Sequence, residues 1–306
     1  MTKELAVKNE IMNSTMVSRF AEFLDVAPVT VRTYVSGVKA FAKFLAAQNV
    51  SCPVRNDVVA FRRSLENSGR KPATIALYLS SLRRFFSWTE NEKLYTNITT
   101  GVKAPKQSRG HKKDALAGYQ VKEMLQSINK SSVEGLRNYA ILSLMTCGGL
   151  RTVEITRAKL EDFRSVGGVP VLYIQGKGRT EKDEFVKLPQ QVEQAIRQYI
   201  AAKGKTAKNT PLFTSESDRN YGQGLTTRTI SGIAKRAMLD AGFNSTRLTA
   251  HSLRHTAITL ALMGGQSLPD VQAFARHSNI NTTMIYNHSV NRMRSACENT
   301  IAKEIF

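Results

Sequence analysis

The chain has 306 residues, enough for two domains with separate cores, and its 42% apolar content argues against a disordered polymer. Its 44 Lys and Arg against 24 Asp and Glu give a formal charge of +20, which points to an anionic partner, nucleic acid being the commonest. Three scattered cysteines (Cys52, Cys147 and Cys297) exclude a disulfide framework, and the longest apolar-rich run, Ala140 to Leu150, is too short to span a bilayer.

The positive charge is spread along the chain: 14 basic against 8 acidic residues over 1–100, five basic and no acidic over 101–113, and 25 against 16 over 114–306. In chain order, Thr30–Gln48 reads as a helix, with Tyr34, Val38, Phe41 and Leu45 at helical spacing. Lys71–Glu92 is a second, opening with Pro72 in a first-turn position and repeating Ile75, Leu79, Leu82 and Phe86 along one face. Arg83 and Arg84 follow Ser80 and Ser81 on that helix. A solvated face explains either Arg alone, whereas on so basic a chain a helix presenting Arg and Ser suits contact with DNA phosphates.

VKAPKQSRGHKK, Val102 to Lys113, combines Pro, Gly and five cations (Lys103, Lys106, Arg109, Lys112 and Lys113) and reads as an exposed, DNA-contacting linker. It would separate a helical domain at 1–101 from a second domain at 114–306. In the latter, Val169–Ile174 and Glu184–Leu188 read as two short strands joined by the polar turn QGKGRTEKD. Helices are expected at Gln191–Ala202, Thr226–Ala241, His251–Met263 and Leu268–Arg276, the last with Ser267 as N-cap and Pro269 just inside. The expected fold class is mainly α, with a helical N-terminal domain and a mainly helical second domain carrying a small antiparallel sheet.

Four of the five histidines (His251, His255, His277 and His288) fall near the C-terminus. They lack the glutamate of HExxH and interleave with Arg254, Arg276 and Tyr286, so a phosphate suits the cluster better than a metal. HSLRH places His251 and Arg254 on one helix face, the first able to carry a proton and the second to clamp phosphate oxygens. CGGLRTVEI sets Arg151 where a helix begins near Thr152, a position suited to anion binding.

GGLRTVEI, HSLRHT and ARHSNINTTMIYNH, in this order and separation, resemble the tyrosine recombinase (phage integrase) family, and the compact two-domain layout is similar to Xer-type recombinases and small transposon integrases. The resemblance covers nearly the whole chain, with residues 1–101 as core-binding domain and 114–306 as catalytic domain, and leaves no obvious room for the arm-binding domain of lambda-type integrases. It implies that Arg151 and Arg254 are the two catalytic arginines, His251 the histidine-or-lysine position, His277 the histidine-or-tryptophan position, Lys177 the hairpin lysine and Tyr286 the nucleophile. Lys182 and Lys187 lie close enough to Lys177 for a register shift to exchange them. One departure stands out: where the family commonly has Leu-Gly before the later histidine, this chain has Ala275-Arg276. Either Arg276 points outward, to DNA backbone, or the helix end is shaped differently here.

The activity implied is site-specific recombination through a 3′-phosphotyrosine and a four-way junction, without metal or cofactor. Its partners would be a double-stranded recombination site and three further copies, as a homotetramer on two duplexes formed from a monomer free in solution. A cytoplasmic location is expected, since MTKELAVKNE lacks the apolar stretch of a signal peptide. DNA relaxation of the type IB topoisomerase kind uses the same chemistry and is the alternative, and a DNA-binding regulator without activity is a third reading. The tail, Val290 to Phe306, carries apolar residues at helical spacing and is expected to pack on a neighbouring protomer.

Overall fold

The computed structural model describes residues 12–106, 114–176, 178–204 and 207–306. Their contacts divide into two compact units, 1–109 and 110–306, and the fold is mainly helical with one small antiparallel sheet.

The first unit consists of α1 (Ser14–Phe23), α2 (Pro28–Ala47), α3 (Arg55–Asn67) and α4 (Pro72–Asn91). Prolines at the first helical position start α2 and α4, where the missing N–H is no loss. An aromatic core fills the interior, with Phe20, Phe41, Phe61, Phe85, Phe86 and Trp88 all buried. Gly37 lets α2 cross α4 closely: a Cβ there would lie 2.5 Å from the Ser81 hydroxyl oxygen. The expected linker begins differently from its reading. Val102 is buried in this aromatic core, Arg62 donates to the Lys103 carbonyl at 3.0 Å, and Arg83 donates to the Val102 carbonyl at 2.6 Å. A β-branched apolar side chain beside the core is driven inward even in a polar, cation-rich stretch.

The second unit is built on α6 (Val133–Cys147), the apolar stretch too short for a membrane, which is buried on most of its surface. It packs against α8 (Gln190–Lys203) and α10 (Ala250–Met263), with α5 (Gly118–Gln126) and α9 (Thr227–Asp240) completing the core. The sheet has three strands rather than two, in the order β1 (Phe163–Val166), β2 (Val169–Ile174), β3 (Glu184–Lys187). β1 and β2 form a tight hairpin in which Val166 pairs with Val169 across Gly167 and Gly168, whose φ values of 56° and 81° fit a two-residue turn of the primed type. The remaining helices are α7 (Thr152–Arg157), α11 (Leu268–Ala275), α12 (Ile280–Arg294) and α13 (Cys297–Ile305). A second, smaller apolar cluster joins Ile258 and Leu262 of α10, Val271 and Ala275 of α11, and Tyr286 and Val290 of α12. It holds together α10, α11 and α12, which carry most of the candidate site. No helix among the described residues is long and apolar enough to cross a membrane.

Candidate active site

The approach to α7 sets the first arginine. Gly149 has φ of 58°, and a Cβ on it would lie 3.0 Å from the Phe274 ring, so the turn accepts only glycine without strain. Arg151 follows as the N-cap of α7, and both its backbone and its side chain engage Glu154. The Arg151 amide donates to Glu154 Oε2 at 2.8 Å and its Nη1 to Oε1 at 2.7 Å. Glu154 is 0% exposed. Burial pushes its carboxyl pKa up, but Arg276 and Arg151 more than reverse this, leaving it below the usual range and ionised.

α10 supplies the next two residues. The Thr249 amide donates to Ser252 Oγ at 3.0 Å, closing the first turn and fixing the helix phase. That phase leaves His251 exposed and Arg254 only 1% exposed, yet both line one cleft of about 720 Å³ together with Arg151. Arg254 spends its fork on backbone: Nη1 donates to the Gly149 carbonyl at 2.5 Å and Nη2 to the Ala275 carbonyl. Burial, then the neighbouring Arg151 and Arg276 guanidiniums, lower its pKa to about 9, so it remains a cation at neutral pH.

The end of α11 resolves the departure at Arg276. The residue adopts the left-handed conformation, φ 53° and ψ 49°, at the C-cap, so the helix ends as glycine would let it. The side chain, however, turns inward rather than outward. Its Nη2 donates to Glu154 Oε2 at 3.1 Å and to the Gly149 carbonyl at 3.0 Å, and its Nη1 to the Phe274 carbonyl at 2.7 Å. The buried, ionised Glu154 supplies the guanidinium with a charge-assisted partner there. Its buried Nε has no acceptor among the described residues. The next residue, His277, places Nδ1 2.9 Å from the hydroxyl of the buried Thr283. Burial, then Arg254, Arg151, Arg276 and His251, lower the His277 pKa to about 4, so the ring is neutral at working pH.

α12, capped by Asn279, which accepts from the Asn281 amide at 2.8 Å, brings in Tyr286. Its ring is 4% exposed, stacked on His277 with centroids 6.2 Å apart and tilted against His255 at 4.7 Å. Burial raises the phenol pKa, while Arg254 and Arg151 pull it down without cancelling the rise. The structure thus brings together Arg151 at the start of α7, His251 and Arg254 of α10, His277 from the loop after α11, and Tyr286 of α12. Lys177 lies outside the described residues, but the preceding Gly176 lines a second cleft, of about 640 Å³, with Arg151, Arg276 and His277. Of the neighbouring lysines, Lys182 is ion-paired with the buried Asp162 and Lys187 lies exposed on β3. Arg109, Lys112 and Lys113 also lie outside the described residues. In the first unit, Arg83 and Arg84 line a recess with Tyr34, Ser80 and Ser87, Arg84 lying 5.5 Å from the Phe23 ring centroid. Lys103 and Lys106 are among the described residues, and both are exposed.

Glu154, Thr283 and the direction of Arg276 go beyond what the sequence singled out. Glu154 could have been found from its capping-box spacing to Arg151. Thr283 carried no signal, and Arg276 was seen but its direction was not readable. Chemically, the site is a partly buried recess where three guanidiniums face one carboxylate. It therefore favours an anion, beside a tyrosine and a neutral imidazole.

Residues 115–292 match the phage integrase family and residues 17–93 the N-terminal SAM-like domain of phage integrases. Tyrosine recombinase XerC of Haemophilus influenzae (strain PittEE) is 31% identical over 90% of this chain and 92% of its own. The fold is shared with the XerH site-specific recombinase bound to palindromic difH substrate in a post-cleavage complex, at a TM-score of 0.75 and 24% identity over 95% of this chain and 85% of that one. It is shared as well with a lambda integrase tetramer bound to a Holliday junction, at a TM-score of 0.68 and 18% identity over 88% and 75% of the two chains. The chain belongs to the phage integrase family, the tyrosine recombinases.

Proposed function

We propose that this chain is a site-specific DNA recombinase that cuts and rejoins duplex DNA through Tyr286. The Tyr286 oxygen attacks the scissile phosphorus, the bond from phosphorus to the 5′ oxygen breaks, and a 3′-phosphotyrosine and a free 5′-hydroxyl result. His251 takes the phenol proton and Lys177 supplies a proton to the departing 5′ oxygen. Arg151 and Arg254 neutralise the charge that grows on the non-bridging oxygens, a task guanidiniums perform while staying protonated. If the Thr283 hydroxyl donates to Nδ1, the neutral His277 keeps its proton on Nε2 and can donate it to the same oxygens. The phosphotyrosine conserves the energy of the broken linkage, so neither metal nor cofactor is needed. Attack by a 5′-hydroxyl from a second duplex exchanges strands, and two such rounds pass through a four-way junction. Four copies on two duplexes would carry this out in the cytoplasm, and the lambda integrase tetramer on a Holliday junction supports that arrangement for this fold.

The observation that carries the proposal is the meeting of Arg151, Arg254 and His277 around the Tyr286 ring, in a recess with an excess of positive charge. Tyr286→Phe keeps the ring and its packing and removes the attacking oxygen. On a nicked suicide duplex, the Phe variant should bind DNA and form no SDS-resistant adduct. An adduct formed by that variant would overturn the assignment, and strand exchange between two labelled duplexes separates recombination from simple relaxation.

A further inference from the structure

The residue that departs from the family pattern is also the one that ties the site together. Arg276 touches every part of the framework behind the two other arginines. Its Nη2 bridges Glu154 Oε2 and the Gly149 carbonyl, which itself accepts from Arg254. Its own carbonyl lies 3.4 Å from Arg151 Nη2, and the preceding carbonyl, of Ala275, accepts from Arg254. The left-handed backbone at Arg276 presents these two carbonyls to two different guanidiniums.

We propose that Arg276 is a positioning residue for strand cleavage: by occupying Glu154 Oε2 it confines Arg151 to Oε1 and so holds the Arg151 guanidinium toward the phosphate. The inference rests on the reading of Arg151 as a phosphate clamp. Carboxylate and guanidinium prefer a two-pronged match, with two parallel N–H···O bonds. Here Arg151 makes only one side-chain bond to Glu154, through Nη1, because Oε2 is already taken by the Arg151 amide and by Arg276. Without Arg276, the competing guanidinium on the carboxylate is gone, and Arg151 can rotate its fork fully onto Glu154 and away from the clefts it lines. The side chain placed in the left-handed region at a cost in backbone strain makes a buried ion pair that glycine cannot make.

The test replaces Arg276 with glycine, which suits the backbone and removes the guanidinium. With intact DNA affinity, Arg276→Gly should form the covalent adduct about ten- to a hundredfold more slowly in a single turnover, the range expected for losing a charge-assisted hydrogen bond. Because the effect passes through Arg151, adding Arg276→Gly to Arg151→Lys should slow the reaction little beyond Arg151→Lys alone. A wild-type rate for Arg276→Gly overturns the proposal, and so does a fully additive loss in the double variant, which would mean that Arg276 acts by itself. Should the glycine variant melt, Arg276→Asn, also tolerated in the left-handed region, carries the same comparison. Tyr286→Phe run alongside separates the two readings. An inert Phe variant with a fast Arg276→Gly sinks only the positioning role, whereas an adduct from the Phe variant sinks the underlying assignment.

Discussion

Arg254→Lys tests the second clamp with the least damage to the fold. Arg254 is 1% exposed and its fork bonds the Gly149 and Ala275 carbonyls, so Ala in its place would leave a cavity as well as remove a charge. Lysine keeps the charge but has one nitrogen. The Gly149 carbonyl would still accept from Arg276, leaving only the Ala275 carbonyl short of its donor, a loss of about 1–3 kcal/mol in stability. That is tolerable against a typical folding stability of roughly 5–15 kcal/mol. The chemistry should suffer more. Losing a preorganised donor aimed at the developing charge costs about 3–4 kcal/mol, or on the order of a hundred- to a thousandfold in rate. DNA affinity should change little, since the chain has 44 Lys and Arg and many of them remain free to neutralise phosphates when one is replaced by another cation. The assay is single-turnover adduct formation on a nicked suicide duplex at saturating DNA, well below the melting temperature of the variant, with affinity measured separately by fluorescence anisotropy. A cleavage rate within about threefold of wild type, at equal occupancy, would refute the clamp.

Further outcomes follow from the same geometry. His277 has a folded-state pKa near 4, below the ordinary value of about 6.5, so on acidification the unfolded chain binds a proton before the folded one does. Its contribution to stability is full above the unfolded pKa and is lost as pH falls through that window; His277→Gln should flatten this part of a urea-midpoint profile, and an unchanged profile would exclude the linkage. In the tail, Val290 packs within its own unit, correcting its place in the coupling segment, whereas Ile301, Ile305 and Phe306 of α13 and the terminus are exposed. Deleting residues 295–306 should therefore leave a folded, DNA-binding protein that cleaves but recombines poorly; unfolding or normal recombination would mean that the tail does not couple protomers. Neutralising Lys103, Lys106, Arg109, Lys112 and Lys113 should lower the slope of log affinity against log salt by about 0.9 for each DNA phosphate that the variant no longer neutralises. An unchanged slope would reduce the segment to a spacer.

Local chemistry made most of the architecture readable. Proline starts and apolar periodicity placed α2 and α4, the Ser267–Pro269 signal placed α11, and the polar, Gly-containing turn between two short segments placed β2 and β3. β1 was not foreseen because FRSV is short and largely solvent-facing, although the Gly-Gly pair after it was a hairpin signal. The site residues were legible as motifs, since His251 and Arg254 are neighbours on one helical turn. Their partners were not, because those are set by distance in space. Arg276 is 122 residues from Glu154, and no local pattern states that a buried carboxylate waits there to draw the cation inward. The sequence by itself determined helices such as α2, α4 and α8 to α11, and the residues they present. Only the tertiary structure decided where Arg276 points and which oxygen of Glu154 each arginine takes, because a charge in a low-dielectric interior follows its nearest partner rather than its own helix.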